Sequence, residues 1–302
     1  MNTKLLVFSS LAVLFMSCDN KSTETATTDS LSVDTIAVLP VVEVTQLWTT
    51  DSVMKSSESV LYDKARNIVY VSCINGKPTD LDKNGYISKL KLDGTIETLE
   101  WIKGLDAPKG LGMYKNKLYV TDLTKLVEID IEKGKITKSY PVAGAVFLND
   151  ITVDTAGVVY FTDSETNKIH TLKNGKVSTW LDNGLNKPNG LLIEANRLLL
   201  ASYGSNDFKA IDLVTKEITM IATEVGAGDG IAYFGKAGHY IVSEWNGTVY
   251  LVEPDGSKNL VIDTKGAKIN SADIEFVQES SMLLVPTFFD NKVVAYKITH
   301  NE

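Results

Sequence analysis

Short apolar runs rich in β-branched and aromatic residues recur along this chain in pairs, each pair split by a tight polar turn. Six runs open the pairs: ESVLYD from Glu58, KGLGMY from Lys109, NDITVD from Asn149, NGLLIE from Asn189, DGIAYF from Asp229 and ADIEFV from Ala272. Each is followed by a second run: NIVYVSC, KLYVTDL, VVYFTDS, RLLLASY, HYIVSEW and MLLVPTF in order. Runs of this length and composition predict strands. The Gly and Asn of TAGV, GKAG and NGK supply the backbone freedom that hairpin turns need. Third strands such as KIHTL, TVYLVE and KVVAYKI and fourth strands such as KVSTWLD and KNLVID complete the units. No unit sustains an apolar period of 3.6, which excludes a helical solenoid.

Lys109, Asn149, Asn189 and Asp229 follow one another at constant 40-residue intervals. Four strands per unit and six units of that size predict an all-β fold, a six-bladed β-propeller. The sixth unit runs out of chain after its third strand, KVVAYKI, while VVEVTQLW at 41–48 belongs to no unit. Pairing these two predicts a ring closed by an N-terminal strand that completes the last blade, leaving only short edges.

Composition narrows the function. The 302 residues are 44% hydrophobic and 23% charged, a globular balance with length for a large core. A net charge of -8 with no dense run of Lys or Arg excludes a nucleic-acid partner. At the N-terminus Lys4, the apolar stretch LLVFSSLAVLFM and Ser17–Cys18 read as an export signal ending in a lipobox-like Cys. The apolar stretch is too short for a membrane-spanning helix. The expected organisation is a lipoprotein signal peptide over 1–17, a Ser/Thr/Asp-rich flexible tether over 18–40, and the propeller over 41–302. Lipid on Cys18 would hold the chain at a bacterial membrane on its extracytoplasmic side. Cys73 is then the sole remaining thiol, so no intrachain disulfide forms, and its apolar strand marks it as a small core residue.

In a propeller the first strand of each blade is innermost, so its first residues ring one mouth of the axial channel. Here the ring is Glu58, Lys109, Asn149, Asn189, Asp229 and Ala272. Asn and Asp are common turn residues, but Glu58 is not, and the shared register favours a functional ring. Two carboxylates and two carboxamides are oxygen donors suited to a hard divalent cation such as Ca²⁺ or Mg²⁺.

ESVLYDKARNIVYVSC, FLNDITVDTAGVVYFTDS, KPNGLLIEANRLLLASY and GDGIAYFGKAGHYIVSEWNG together resemble the motifs of the senescence-marker-protein/gluconolactonase family of six-bladed propellers. The resemblance spans roughly residues 55–298. It implies a divalent metal (Ca²⁺, or Zn²⁺, Mn²⁺ or Mg²⁺) on Glu58, Asn189 and Asp229, with Asp229 also the general base. Asn149, from the ND motif, would be a further ligand or a substrate contact, and Asp150 beside it a substrate contact. The implied reaction is hydrolysis of a sugar lactone or related ester by a monomer. The alternative is a non-catalytic propeller that binds a small ligand or a protein partner at the same mouth.

Lys109 departs from an all-oxygen ring. Its cation opposes a metal, and it either faces an anionic substrate group or replaces the metal as electrophile, or else extends to solvent. Loops between second and third strands share the mouth, which nominates Tyr203, Asn206, Trp245, Phe288 and Phe289 as rim residues. Asp80, Asp82, Asn84 and Gly85 match the opening of a calcium loop, but the twelfth position is Lys91 and no helices flank it, so a turn is expected. His170 and His239 fall in expected strands and His300 in the C-terminal tail, giving His-dependent chemistry little support. GAGDG lacks the strand–loop–helix setting of a phosphate cradle.

Overall fold

The computed structural model describes residues 41–301. The expected signal peptide, Cys18 and the tether lie outside the described residues. Strands are numbered in chain order. Strand β1 is Val41–Thr49. Blade 1 holds β2 (Ser57–Asp63), β3 (Ile68–Cys73), β4 (Gly85–Lys91) and β5 (Ile96–Leu105). Blade 2 holds β6 (Pro108–Tyr114), β7 (Lys117–Asp122), β8 (Lys125–Asp130) and β9 (Lys135–Pro141). Blade 3 holds β10 (Leu148–Val153), β11 (Val159–Asp163), β12 (Lys168–Lys173) and β13 (Lys176–Leu181). Blade 4 holds β14 (Pro188–Glu194), β15 (Arg197–Ser202), β16 (Asp207–Asp212) and β17 (Ile218–Thr223). Blade 5 holds β18 (Gly228–Tyr233), β19 (Tyr240–Glu244), β20 (Thr248–Val252) and β21 (Lys258–Asp263). Blade 6 holds β22 (Glu275–Val277), β23 (Met282–Pro286) and β24 (Val293–Asn301).

These form six four-stranded antiparallel sheets, a six-bladed β-propeller. The sixth sheet has the order β1-β24-β23-β22, and β1 pairs with β24 from Val41 opposite Asn301 to Thr49 opposite Val294. Nearer the axis, the Asp273 amide donates to the Glu58 carbonyl at 3.0 Å, joining the sixth blade to the first.

Burial follows strand rank. Second strands are sandwiched on both faces: every residue of β3, IVYVSC, and of β11, VYFTD, is buried. Outer strands such as β9, KITKSYP, expose nearly all their side chains. Among the described residues, six apolar clusters lie one between each neighbouring pair of blades, and a seventh, smaller one gathers Ile74, Ala107 and Phe288. Between blades 2 and 3, for example, Tyr119, Leu126 and Tyr140 pack on Leu148, Ile151 and Phe161. A propeller is therefore stabilised by blade-on-blade packing of paired sheets rather than by a single central core.

Candidate functional site

The ring residues owe their aim to a repeated irregularity. In five blades the pairing of the first strand with the second breaks between Ser57 and Val60, Pro108 and Leu111, Leu148 and Ile151, Pro188 and Leu191, and Gly228 and Ile231. Each break spans the ring residue and the residue after it. Such a bulge re-aims side chains that regular pleating would send to alternate faces. Second-strand hydroxyls take up the freed backbone groups. Ser72, Thr162 and Ser243 accept from the amides of Ser59, Asp150 and Gly230 at 3.0, 3.0 and 2.7 Å. Thr121, Thr162 and Ser243 in turn donate to the carbonyls of Asn149, Asn189 and Ala272 in the next blade.

Glu58, Lys109, Asn149, Asn189 and Asp229 come together in the wall of one cavity of about 280 Å³. Ala272, the sixth ring position, is fully buried and offers no side-chain oxygen. All five polar side chains are buried, yet Glu58 Oε2, Asn189 Oδ1 and Asp229 Oδ1 have no hydrogen-bond partner. Orphaned buried oxygens are costly, and three of them on three blades form a donor set that fits a hard cation.

Charge at the site is unbalanced. Burial first, then the charges of Asp229 and Asp273, hold the Glu58 carboxyl well above the usual carboxylate range, with Lys109 opposing. Burial, then Asp273, does the same to Asp229; the Asn189 carboxamide beside it works against that rise, and its own carbonyl oxygen has no donor. Lys109 does not extend to solvent: it is 1% exposed, and its ammonium donates to the carbonyls of Pro78 and Ala107, each at 3.1 Å. It also sits 4.2 Å above the Phe147 ring. Burial lowers its pKa to about 8, so at neutral pH it keeps most of its charge.

The structure does not bring Asp150 to the mouth. It lines a separate cavity of about 360 Å³ together with Asp273 and Glu275. The bulge places Asn149 and Asp150 in different cavities, and the amides of Leu191 and Ile151 fix the Asp150 carboxylate at 2.5 and 2.6 Å. Asp273 stands beside it, bonded by the Ser59 hydroxyl at 2.5 Å, and burial pushes its carboxyl up to about 7. Glu275 in the same cavity is pushed up to about 8, again by burial. These folded-state pKa values exceed the unfolded ones, so the native state binds more protons between them. Stability of the chelator-treated protein is therefore expected to be greatest near pH 4 and to fall as pH rises to about 8. Urea midpoints across that range check it: Asp273→Asn should flatten the slope, and an unchanged slope refutes the assignment.

Tyr203, Trp245, Phe288 and Phe289 line the mouth, with Trp245 and Phe288 edge to face at 4.7 Å. Asn206 does not; it borders a separate recess with Glu244. Sequence reasoning missed Phe147 and Lys187, two residues ahead of Asn149 and Asn189, which also line the cavity. The 40-residue register, read two positions upstream, was the available signal. Lys187 pairs with Glu165 at 3.1 Å on the rim.

The other candidates resolve simply. Asn84 bonds Asp82 through its amides, an exposed turn into β4. Cys73 is fully buried, and burial pushes its thiol up to about 12, which makes it unreactive. None of the three His residues lines the mouth. His170 lies in β12 as expected, but His239 sits in the turn ahead of β19, where its amide donates to the Lys236 carbonyl. His300 is not in a loose tail; it is a residue of β24, opposite Val42.

No family model and no curated protein matches the sequence. Among solved structures, an unverified gluconolactonase is similar at a TM-score of 0.65 and 18% identity, covering 86% of this chain and 93% of that one. A gluconolactonase from Xanthomonas campestris is similar at 0.63 and 17%, covering 85% and 90%. A streptogramin B lyase is similar at 0.62 and 15%, covering 85% and 98%. At these identities the likeness establishes the fold.

Proposed function

We propose that the chain is a divalent-cation-dependent hydrolase that opens a sugar lactone or a related ester at the propeller mouth. The observation that supports it is the convergence of three orphaned oxygens, Glu58 Oε2, Asn189 Oδ1 and Asp229 Oδ1, in one buried wall. These residues would hold Ca²⁺, with Mg²⁺, Mn²⁺ or Zn²⁺ as substitutes. A bound cation polarises an ester carbonyl and makes water a better nucleophile near neutral pH. Asp229, a buried carboxylate in the same wall, would accept a proton from water and return it to a leaving alkoxide. Asn149 presents a carboxamide to substrate hydroxyls, Lys109 sets a positive charge in the wall for a carboxylate or alkoxide, and the Trp245–Phe288 pair shields the site from water. The fold likeness to gluconolactonases agrees with this reading.

Lys109 also favours a second reading, a non-catalytic module that recognises an anionic small ligand, because its charge beside Glu58 can take the place of a cation. Calorimetric Ca²⁺, Mn²⁺ and Zn²⁺ titration together with lactone hydrolysis, with and without chelator, separates the two. The hydrolase binds a cation at the mouth and loses its activity to chelator. Neither binding nor hydrolysis would leave the module.

The N-terminal signal and Cys18 support an extracytoplasmic, lipid-anchored protein. Cys18→Ser is expected to move the chain from the membrane fraction to the supernatant and to abolish palmitate labelling; retention on the membrane refutes the anchor.

A further inference from the structure

A cluster of metal-ligating side chains, none of which lines the mouth, lies on the blade 5–blade 6 boundary. His239 comes from the turn ahead of β19, Glu253 follows β20, and His300 lies in β24. One ligand atom from each lies within 4.8 Å of the others. His239 Nε2 is 2.8 Å from Glu253 Oε2, and His300 Nε2 is 3.4 Å from Glu253 Oε1.

The hydrogen bonds around the cluster orient it. His239 Nδ1 faces the Ala237 carbonyl at 3.0 Å. A carbonyl oxygen only accepts, so Nδ1 carries the hydrogen and Nε2 of the neutral ring points a lone pair at a carboxylate oxygen. Asn259 Nδ2 donates to Glu253 Oε1 at 2.8 Å and fixes that carboxylate. A backbone carbonyl behind one imidazole and an amide behind the carboxylate are the supports that metal ligands commonly have. His300 supplies the independent observation: its side chain is 4% exposed, and Nε2 has no hydrogen-bond partner. The 3.4 Å approach of His300 Nε2 to Glu253 Oε1 does not make a hydrogen bond. A cation among the three satisfies all of them.

We propose that His239, Glu253 and His300 bind a borderline divalent transition-metal ion, Zn²⁺ above all, with water completing a tetrahedron. Two imidazoles and one carboxylate suit Zn²⁺, Co²⁺, Ni²⁺ or Cu²⁺, whereas the three oxygen donors Glu58, Asn189 and Asp229 at the mouth suit Ca²⁺. Ligand atoms about 3.3 Å apart are what Zn–N and Zn–O bonds of ordinary length require in a tetrahedron. The His–carboxylate contacts of 2.8 and 3.4 Å reach different oxygens of Glu253, and one atom from each residue lies within 4.8 Å of the others, so a small side-chain adjustment closes the set. The ion would tie blade 5 to β24, the strand that pairs with β1, and so act on the stability of the ring.

The test uses the full-length chain, stripped with chelator and titrated with Zn²⁺, followed by calorimetry and thermal melting. Glu58→Gln, which disables the mouth, should still bind one Zn²⁺ and melt higher with it. In the Glu58→Gln background, His300→Ala and, separately, Glu253→Gln should weaken that Zn²⁺ by on the order of 100-fold or more. Unchanged Zn²⁺ affinity in both variants would overturn the proposal. Should either variant fail to fold, Co²⁺ added to Glu58→Gln decides the matter: a visible absorption band of tetrahedral Co²⁺ with nitrogen ligands supports the site, and its absence refutes it.

Discussion

Glu58→Gln is expected to lower kcat/KM for lactone hydrolysis by on the order of 100-fold or more while making the chelator-treated protein more stable. Loss of a charged cation ligand removes more than loss of an outer hydrogen bond, which itself costs roughly 10–100-fold. The stability change has the opposite sign for a separate reason. Glu58 is 5% exposed, and its charge is opposed first by burial and then by Asp229 and Asp273. Gln keeps the shape and removes the charge, so at neutral pH the cation-free fold should melt roughly a few degrees higher. Added Ca²⁺ should then raise the melting temperature of the wild type but not of the variant. Wild-type activity in Glu58→Gln would end the hydrolase proposal, and a chelated variant less stable than wild type would refute the electrostatic account.

Gly190→Ala is expected to cost about 3 kcal/mol or more in chemical denaturation and to disturb the mouth as well. A Cβ at Gly190 would lie 2.0 Å from the Asp229 carbonyl oxygen, which is backbone and cannot swing aside. Gly110 and Gly230 repeat the constraint against the Asp150 and Asp273 backbones at 2.5 and 2.8 Å. Beneath the ring, first strands of neighbouring blades approach so closely that only glycine fits between them. Gly190 is needed for its missing side chain, since its φ is not in the left-handed region. Gly266, which has open space around it, is the control and should tolerate Ala with little change. Equal denaturation midpoints for the two variants would show that the axis can relax.

Blade number and strand order were legible because a propeller repeats its pattern with a near-constant period, and apolar alternation reports burial directly. The convergence of Glu58, Lys109, Asn149, Asn189 and Asp229 was legible for the same reason, since equal register in equal units means equal height on the axis. Asp150 was misplaced because pairing irregularities leave no compositional mark: ND reads as two neighbours at one mouth, while the chain sends them to two cavities. The direction of Lys109 was open in sequence, since a lysine reaches either way; Phe147 beneath its ammonium decides it. His300 was read as tail because the sequence near the C-terminus has no visible partner, and its strand exists through pairing with β1 at the far end of the chain.

The hydroxyl braces of Ser72, Thr121, Thr162 and Ser243 grip main-chain atoms at the ring, never the ring side chains themselves. Identity at those six positions is thus uncoupled from the architecture that presents them. The mouth can therefore change one side chain at a time without first having to rescue the blade beneath.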